Sequence, residues 1–523
     1  MNGVEWTVLD NSNIVESYPG ITLPLTYSFI RTAYRGVFRG AVGSCIKDEA
    51  ILAKFDDIFD NMIQSYNGRI YYFYGGVRSL SVSLLNRGLY GKKILLYGKN
   101  SYNWMTVFLA VITYVGVIVP IDKEWKRNDI YNVLSDLDIS FLFYSGCLKD
   151  NLAGIRTPMS NLEDETAQLI QASRVPGVKP EVQNPERVCA VFYTSGTTSK
   201  PKKVELTEKN LVANSEDMEK LVSVSTYDRY MLSLPLSHIG TVIGNFVYPI
   251  AMGASFYIPD DFKEIAEDLK LIRPTILYGV PRIFEKIWEA VPNKSKVKRA
   301  VRVSNLLRKI GIDIRGRLFA QLHENLGGAV RFAYCGAAKL DDAIIRVFND
   351  IGLIIMQAYG MTETAAIISC DSINSYKLGS AGKALLSQTC KIIEKDAGGI
   401  GEICVMGDNV AVCALSADGF LHTGDLGYID KDGYLFITGR KKRLIKLANA
   451  KNVYPDELEE LLLKNRDVLQ ALVYENDKRV AAVITSNADP DIIQDFVNNL
   501  NKNLPYYKQI RNITIAKGDG DIQ

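Results

Sequence analysis

The stretch Tyr193–Lys203, YTSGTTSKPKK, sets five Ser and Thr hydroxyls around one glycine and closes on three lysines. Directly before it runs Val188–Phe192, VCAVF, an apolar segment of the length and composition of a buried strand. A polar glycine loop leaving the end of a sheet is where ligands commonly bind. Gly196 lets backbone amides converge. Thr194, Ser195, Thr197 and Thr198 add donors, and Lys200, Lys202 and Lys203 add countercharge, a set suited to polyphosphate. The loop has neither the second glycine with Lys-Ser/Thr of a Walker loop nor a GxGxxG pattern. Taken alone it also reads as a polar surface loop.

Working outward, short apolar segments alternate with helical patterns: KKILLYG (92–98), ISFLFYSG (139–146), VCAVFYTSG (188–196), PTILYGVP (274–281) and RFAYCGAA (331–338). Such alternation predicts parallel or mixed sheets covered by helices. After Gly399 the texture becomes strand-rich, with turn pairs Asp418-Gly419 and Asp432-Gly433. A last α/β piece follows from about Lys441, with a helix expected to start at Pro455-Asp456. The uncharged run 101–121, SYNWMTVFLAVITYVGVIVPI, is long enough to span a bilayer, but Asn103, Thr106, Thr113, Gly116 and Pro120 interrupt it. It reads as a buried helix turning at Gly116 into a core strand, VIVPI.

With 523 residues, a formal charge of +2 and 23% charged residues, the chain reads as a soluble globular protein of several domains. Nothing in its overall charge points to nucleic acid or a membrane surface. The eight cysteines (45, 147, 189, 335, 370, 390, 404 and 413) lie far apart, with no CxxC pair and only three histidines. They read as reduced, buried thiols of a cytoplasmic protein rather than a zinc site. The N-terminus lacks the pattern of a signal peptide.

Downstream lie MQAYGMTETA (356–365) and LHTGDLGYIDKDGYLFITGRKKRLIKLANAKNVYPDELEE (421–460). With YTSGTTSKPKK, and in this order, they resemble the AMP-forming adenylating enzymes over about residues 71–515. GVPRIFEKIW (279–288) and NVYPDELEE are most similar to the long-chain fatty acyl-CoA ligases of that superfamily. The resemblance implies an α/β chain. A large N-terminal domain of stacked mixed sheets with covering helices (71–439, its 398–439 part β-rich) would be joined by a hinge to a small α/β domain (440–523). It also implies a reaction: ATP and a carboxylic acid, expected to be a fatty acid, give acyl-AMP and pyrophosphate, and the acyl group passes to CoA or to an acyl carrier protein. ATP, Mg2+ and CoA are the implied cofactors.

Residue by residue, the resemblance assigns Thr194 through Lys202, including Ser195, Gly196, Thr197, Thr198 and Lys200, to the β- and γ-phosphates. Thr362 would meet the α-phosphate, and Glu363, with Thr194, magnesium. Tyr359 would stack on adenine, with Gly336, Ala337, Ala338, Gln357 and Gly360 around the nucleotide. Asp425 and Arg440 would hold the ribose. His238, Gly279 and Val280 would line the acyl pocket, beside the apolar stretch 239–247, and Lys442 would be the hinge pivot. Read without the resemblance, Tyr359 fits core packing, Thr362 and Glu363 a helix cap, Asp425 a turn, and Lys441–Lys446 a solvated turn.

Several positions depart from that family. Ser199, Lys203 and Ala450 stand where glycines are usual, and Glu208 stands where histidine is usual. The similarity runs to Ile515 and stops where a Pro-Lys-Thr…Gly-Lys segment would supply a catalytic lysine. Lys517 lacks that context, so an adenylation-deficient AMP or acyl-adenylate binder stays open. Ser12–Phe38 and Asn61–Phe73 instead resemble a linker of phosphoenolpyruvate synthase-like phosphotransferases, which makes 1–70 an atypical segment read as a fusion remnant.

Overall fold

A computed structural model describes residues 73–518 except 165, 167, 169–183, 195–200, 260–264, 448–451 and 477–478. Its residues form two compact units. The first comprises the described residues up to Gln388 with Gly407–Leu415, the second the described residues of Thr389–Met406 and those from Ser416 to Gly518.

The first unit holds two sheets. One contains β1 (Lys93–Tyr97), β2 (Val117–Ile121), β3 (Ile139–Tyr144), β4 (Met159–Asn161), β5 (Val188–Thr194) and β6 (Lys202–Thr207), in the order β4-β3-β1-β2-β5-β6. All its neighbours are parallel except β5 and β6, which form an antiparallel hairpin. The other contains β7 (Arg229–Met231), β8 (Ser255–Tyr257), β9 (Ile276–Gly279), β10 (Phe332–Cys335), β11 (Ile354–Tyr359), β12 (Ser369–Cys370) and β13 (Lys383–Ala384), in the order β13-β12-β11-β10-β9-β7-β8. Successive side chains in a strand point to opposite faces. Thus Ile94 and Leu96 of β1, with Phe332 and Tyr334 of β10, share one apolar cluster. The alternate residues face outward: Leu95 and Tyr97 belong to a second cluster, Ala333 and Cys335 to a third. The apolar runs read from the sequence as strands are therefore covered on both faces.

The uncharged run 101–121 is a buried helix, Tyr102–Ala110, that widens into a π turn, Val111–Val115, before β2. The apolar residues from Trp104 to Val115 lie in the shared cluster. The side chain of Ser101 caps the helix by accepting from Trp104 N. Gly116 is required at its end, since a Cβ there would lie 2.1 Å from the Lys92 carbonyl oxygen. The guanidinium of Arg187 donates to the Gly116 carbonyl at 2.7 Å and to that of Ile112, serving carbonyls the widened turn leaves open. It also pairs with Glu208 at 3.1 Å. Burial pushes the Glu208 carboxyl up to about 9, against the opposing pull of Arg187. No described helix is long and apolar enough to cross a membrane.

The second unit has a four-stranded sheet, β14 (Gln388–Ile393), β15 (Gly401–Gly407), β16 (Leu421–Ile429) and β17 (Leu435–Arg440), in sequential order. Asp432-Gly433 turns β16 into β17, with Gly433 at φ 84°. After β18 (Ile445–Lys446) and β19 (Asn452–Val453), the helix Pro455–Leu463 starts at the expected Pro455. A three-stranded sheet follows: β20 (Val468–Asn476), β21 (Arg479–Ser486) and β22 (Asn512–Lys517). Leu458, Leu462, Val473, Ile484 and Ile493 form its core.

One expectation needs correction. Cys189, Cys335, Cys370 and Cys404 are buried, but Cys147 and Cys413 are exposed. Both lie in short 3-10 turns rather than in the apolar strands that bury the others. The segment 1–70, and Ala450, lie outside the described residues.

Candidate functional site

The parallel strands β9, β10 and β11 end together. Cys335 is level with Gly279 on one side and with Gln357 on the other, so Gly279–Val280, Gly336–Ala338 and Tyr359–Glu363 all leave one edge of the sheet. Outside the carboxyl ends of parallel strands is where ligands bind in such sheets. The Gly336 amide donates to the Gly279 carbonyl at 3.2 Å, tying two of these segments. The Gln357 amide, oriented to satisfy its neighbours, donates to the Cys335 carbonyl at 3.3 Å and accepts from Leu340 N at 3.0 Å. Gln357 thus braces the edge from within.

Backbone strain gathers here. Of the six described non-glycine residues with positive φ, three are Ala337 (68°), Ala365 (47°) and Ala366 (113°). Strain of this kind persists where surrounding structure enforces it. Around Ala365 and Ala366 the enforcing groups are two buried asparagines. Asn214 Nδ2 donates to the Thr364 and Ala365 carbonyls, both at 2.8 Å, and Asn409 Nδ2 donates to the Ile367 carbonyl at 2.8 Å and to that of Thr364 at 3.2 Å. Gly360 completes the turn. A Cβ on it would sit 1.8 Å from the Ala366 carbonyl oxygen.

That turn presents Thr362 and Glu363 in a single 3-10 segment, Thr362–Thr364. The Ala411 amide fixes Glu363 by its carbonyl at 2.8 Å. Its carboxylate meets the base of the β5–β6 hairpin: Lys202 Nζ lies 3.0 Å from Glu363 Oε1. Thr194 is the register partner of Lys202, and its hydroxyl donates to the Lys202 carbonyl at 3.4 Å. Two segments 161 residues apart therefore converge. Ser195, Gly196, Thr197, Thr198 and Lys200 lie outside the described residues. Lys202 is 63% exposed and Glu363 12%, so the pair is a carboxylate held in a recess with a solvated cation over it.

Of the residues expected at an acyl pocket, His238 is largely exposed, with Nε2 3.5 Å from Asp122 Oδ2, an oxygen that also accepts from Ser237 Oγ at 3.0 Å. Asn100 pins this loop, donating to the Leu234 carbonyl at 2.8 Å and accepting from Leu236 N at 2.9 Å. The helical stretch 239–247 that follows is buried except for half-buried Gly240. A Cβ on Gly240 would lie 3.0 Å from the Tyr278 hydroxyl, and one on Gly244 2.9 Å from its ring. Tyr278 of β9 keeps some accessible area, and burial raises its phenol above the ordinary range, as for a ring lining a recess.

In the second unit, Asp425 and Arg440 are register partners across β16 and β17, and Arg440 Nε lies 2.9 Å from Asp425 Oδ1. The Asp425 carboxylate is almost fully buried while Arg440 is exposed. Asp425 lies on a strand, not only at a turn; its amide donates to Thr423 Oγ1 at 3.0 Å. Lys442 sits in the exposed turn Lys441–Arg443 that follows β17. Its neighbours are anchored: Lys441 to Glu402 at 2.6 Å and Glu394 at 2.8 Å, Arg443 to Asp456 and Glu459. Glu402, Cys404 and His422 bring possible ligand atoms within 4.8 Å of one another, but the Lys441 ammonium already neutralises Glu402.

No sequence motif marks Asn100, Asn214 or Asn409. Their signal is weak: an asparagine inside an otherwise core-facing stretch, whose partner carbonyls lie up to 151 residues away.

Residues 73–413 match the sequence model of the AMP-binding enzyme family. The chain is 26% identical over 476 residues to the long-chain-fatty-acid–CoA ligase FadD15 of Mycobacterium bovis, covering 80% of this chain and 76% of the relative. It is 27% identical over 501 residues to the peroxisomal long chain acyl-CoA synthetase 6 of Arabidopsis thaliana, covering 84% and 71%. Among solved structures, ATP-bound MatB from Rhodopseudomonas palustris superimposes with a TM-score of 0.71 at 23% identity, covering 86% of this chain and 90% of that one. O-succinylbenzoate CoA synthetase of Bacillus subtilis, with ATP and magnesium, gives 0.68 at 21%, covering 88% and 95%. The family match spans the hairpin, the strand ends and the Thr362–Glu363 turn together, and the chain belongs to the AMP-binding enzyme family.

Proposed function

We propose that this chain is an AMP-forming acid–thiol ligase. It joins a carboxylic acid, a fatty acid in this reading, to the α-phosphate of ATP with release of pyrophosphate, and then transfers the acyl group to the thiol of CoA. The observation that carries the reading is the 3.0 Å approach of Lys202 at the hairpin base to Glu363. A hydroxyl and a lysine at the base of a hairpin, with a recessed carboxylate beside the lysine, suit a nucleotide triphosphate with its divalent cation. The long-chain acyl-CoA ligases among the relatives support the substrate class.

Both reactants are anions, so the site must neutralise charge and align the attacking carboxylate in line with the α-phosphate. Thr194, Lys202 and the loop 195–200 hold the β- and γ-phosphates. Thr362 meets the α-phosphate. Glu363 supplies oxygen ligands for magnesium, and its recess already draws a cation, the fit such an ion needs. Magnesium bound there would offset phosphate charge as pyrophosphate departs. Tyr359, Gln357, Gly360 and Gly336–Ala338 surround the base. An ionised carboxylate only accepts hydrogen bonds, so Asp425 receives the ribose hydroxyls, and Arg440 holds its orientation. The apolar stretch 239–247 and Tyr278, with His238, Gly279 and Val280 at its rim, take the acyl group. Lys442 is the pivot on which residues 440–523 exchange poses between the two half-reactions.

Acid-dependent exchange of labelled pyrophosphate into ATP, run with fatty acids of increasing length and then with CoA, tests this. Exchange followed by acyl-CoA formation supports the reading. Exchange without acyl-CoA moves the acceptor to a carrier protein. Nucleotide binding with no exchange for any acid leaves only a binding protein and overturns the ligase.

A further inference from the structure

The helix Lys294–Lys309, KSKVKRAVRVSNLLRK, carries seven basic residues and no acidic one, in a chain whose formal net charge is +2. Its N-cap is Asn293, whose side chain accepts from Lys296 N. One side of the helix packs inward: Val301 is buried in the apolar cluster beneath the second sheet, with Val297 and Ala300 against it. The other side does the opposite. Val303 is 56% exposed, Leu306 66% and Ile310, at the C-cap, 70%. Their spacing of three and then four residues aligns them in one stripe. Exposed Arg299 and Arg302 stand one turn before Val303 and Leu306, and exposed Lys309 stands three residues after Leu306. Cations thus border the stripe along its length.

No described acidic side chain pairs with these cations. Among the described residues, none of the seven is in an ion pair. The acidic groups nearby are engaged elsewhere, Asp313 with Arg315 at 2.6 Å and Glu285 and Glu289 with Arg282 at 3.3 and 2.9 Å. Single exposed aliphatic residues need no explanation, but three in register on an unneutralised basic face present a surface with two chemistries. A nucleic acid would engage the cations and leave the aliphatic stripe unused. A bilayer with anionic headgroups engages both, because a helix lying at the interface buries its apolar stripe at the acyl boundary and sets its basic flanks against lipid phosphates.

We propose that the face of Lys294–Lys309 bearing Val303, Leu306 and Ile310 docks on the surface of an anionic phospholipid bilayer, with Arg299, Arg302 and Lys309 at the headgroup phosphates. This goes beyond the ligase reading and does not depend on it. The test is co-sedimentation of the full chain with vesicles of phosphatidylcholine alone or mixed with phosphatidylglycerol, at low and high salt. Two triple variants are compared: Arg299→Gln/Arg302→Gln/Lys309→Gln and Val303→Ser/Leu306→Ser/Ile310→Ser. All six residues are exposed, so neither variant disturbs the core, which near-UV circular dichroism checks. The chain is expected to sediment with the mixed vesicles only, and each variant to lower the partition coefficient by about tenfold or more. Acid-dependent pyrophosphate exchange stays unchanged in both, which separates failure of this proposal from failure of the ligase reading. Absence of binding to mixed vesicles at low salt overturns the proposal. So does a serine variant that binds vesicles as well as the parent chain, or an RNA duplex bound equally by both, since the surface would then be a general polyanion site.

Discussion

Replacing Gly360 by alanine should separate the geometry of the Thr362–Glu363 turn from the stability of the fold. The added Cβ would lie 1.8 Å from the Ala366 carbonyl oxygen, 2.6 Å from the Ala366 carbonyl carbon and 2.7 Å from Ile367 Cα, all backbone atoms that cannot rotate away. Reaching even the shortest separation that real Cβ atoms show, 3.0 Å, requires a movement of about 1.2 Å. Asn214 and Asn409 hold the carbonyls of Thr364, Ala365 and Ile367 from the far side, so the movement falls on Met361–Glu363. A misplacement of about 1 Å at a reacting centre lowers rate by about 100-fold. Overpacking alone should cost about 1–3 kcal/mol of stability. Gly316→Ala is the control, because a Cβ there meets nothing within 4 Å and its φ is not in the left-handed region. Acid-dependent pyrophosphate exchange and urea unfolding are measured for both. Wild-type exchange in a folded Gly360→Ala chain would refute the reasoning, since the turn would then not carry the chemistry.

Lys202→Met should change unfolding free energy by no more than about 0.5 kcal/mol, because the ammonium is mostly solvated, yet weaken ATP binding in titration calorimetry by about tenfold or more. Burial lifts the Asp371 carboxyl to about 7, with amides including that of Gln357 pulling it back only in part; its Oδ1 has no partner among the described residues. The folded-state value exceeds the unfolded one, so the folded chain binds the extra proton between about pH 4 and pH 7. Stability should therefore be fully present below that window and fall as pH rises through it, by up to about 1.4 kcal/mol per pH unit, and Asp371→Asn should flatten the slope in urea titrations. Gly244→Ala, whose Cβ would lie 2.9 Å from the Tyr278 ring, should raise the KM for the acid about fivefold or more and leave that for ATP unchanged in steady-state assays.

Much of the fold is legible in the sequence because the strands are covered on both faces and read as continuous apolar runs. VCAVF is β5 and VIVPI is β2, and the long uncharged stretch before Gly116 is a helix buried between sheets. Its widening into a π turn is not legible, since it depends on Arg187, 75 residues away from Ile112 in the chain, reaching the open carbonyl. The same arginine gives a physical reason for an acidic residue at Glu208: a partly buried guanidinium favours a carboxylate partner. Among the candidate site residues that the family resemblance assigns, Asp425 and Arg440 are brought into contact by register. What the motifs do not reveal is which groups hold them in place. Asn214 and Asn409 act through long-range backbone carbonyls, and no local spacing marks such a bond. Exposed Cys147 and Cys413 show the opposite limit, where a residue type that usually packs inside sits in a surface turn.

The most direct measurement is titration calorimetry of the intact chain with ATP in the presence of magnesium, repeated on Glu363→Gln. Heat that saturates at one nucleotide per chain and collapses in the variant is the expected result. An unaltered isotherm in the variant, or none in the parent, would mean that the Lys202–Glu363 junction is an ordinary surface ion pair.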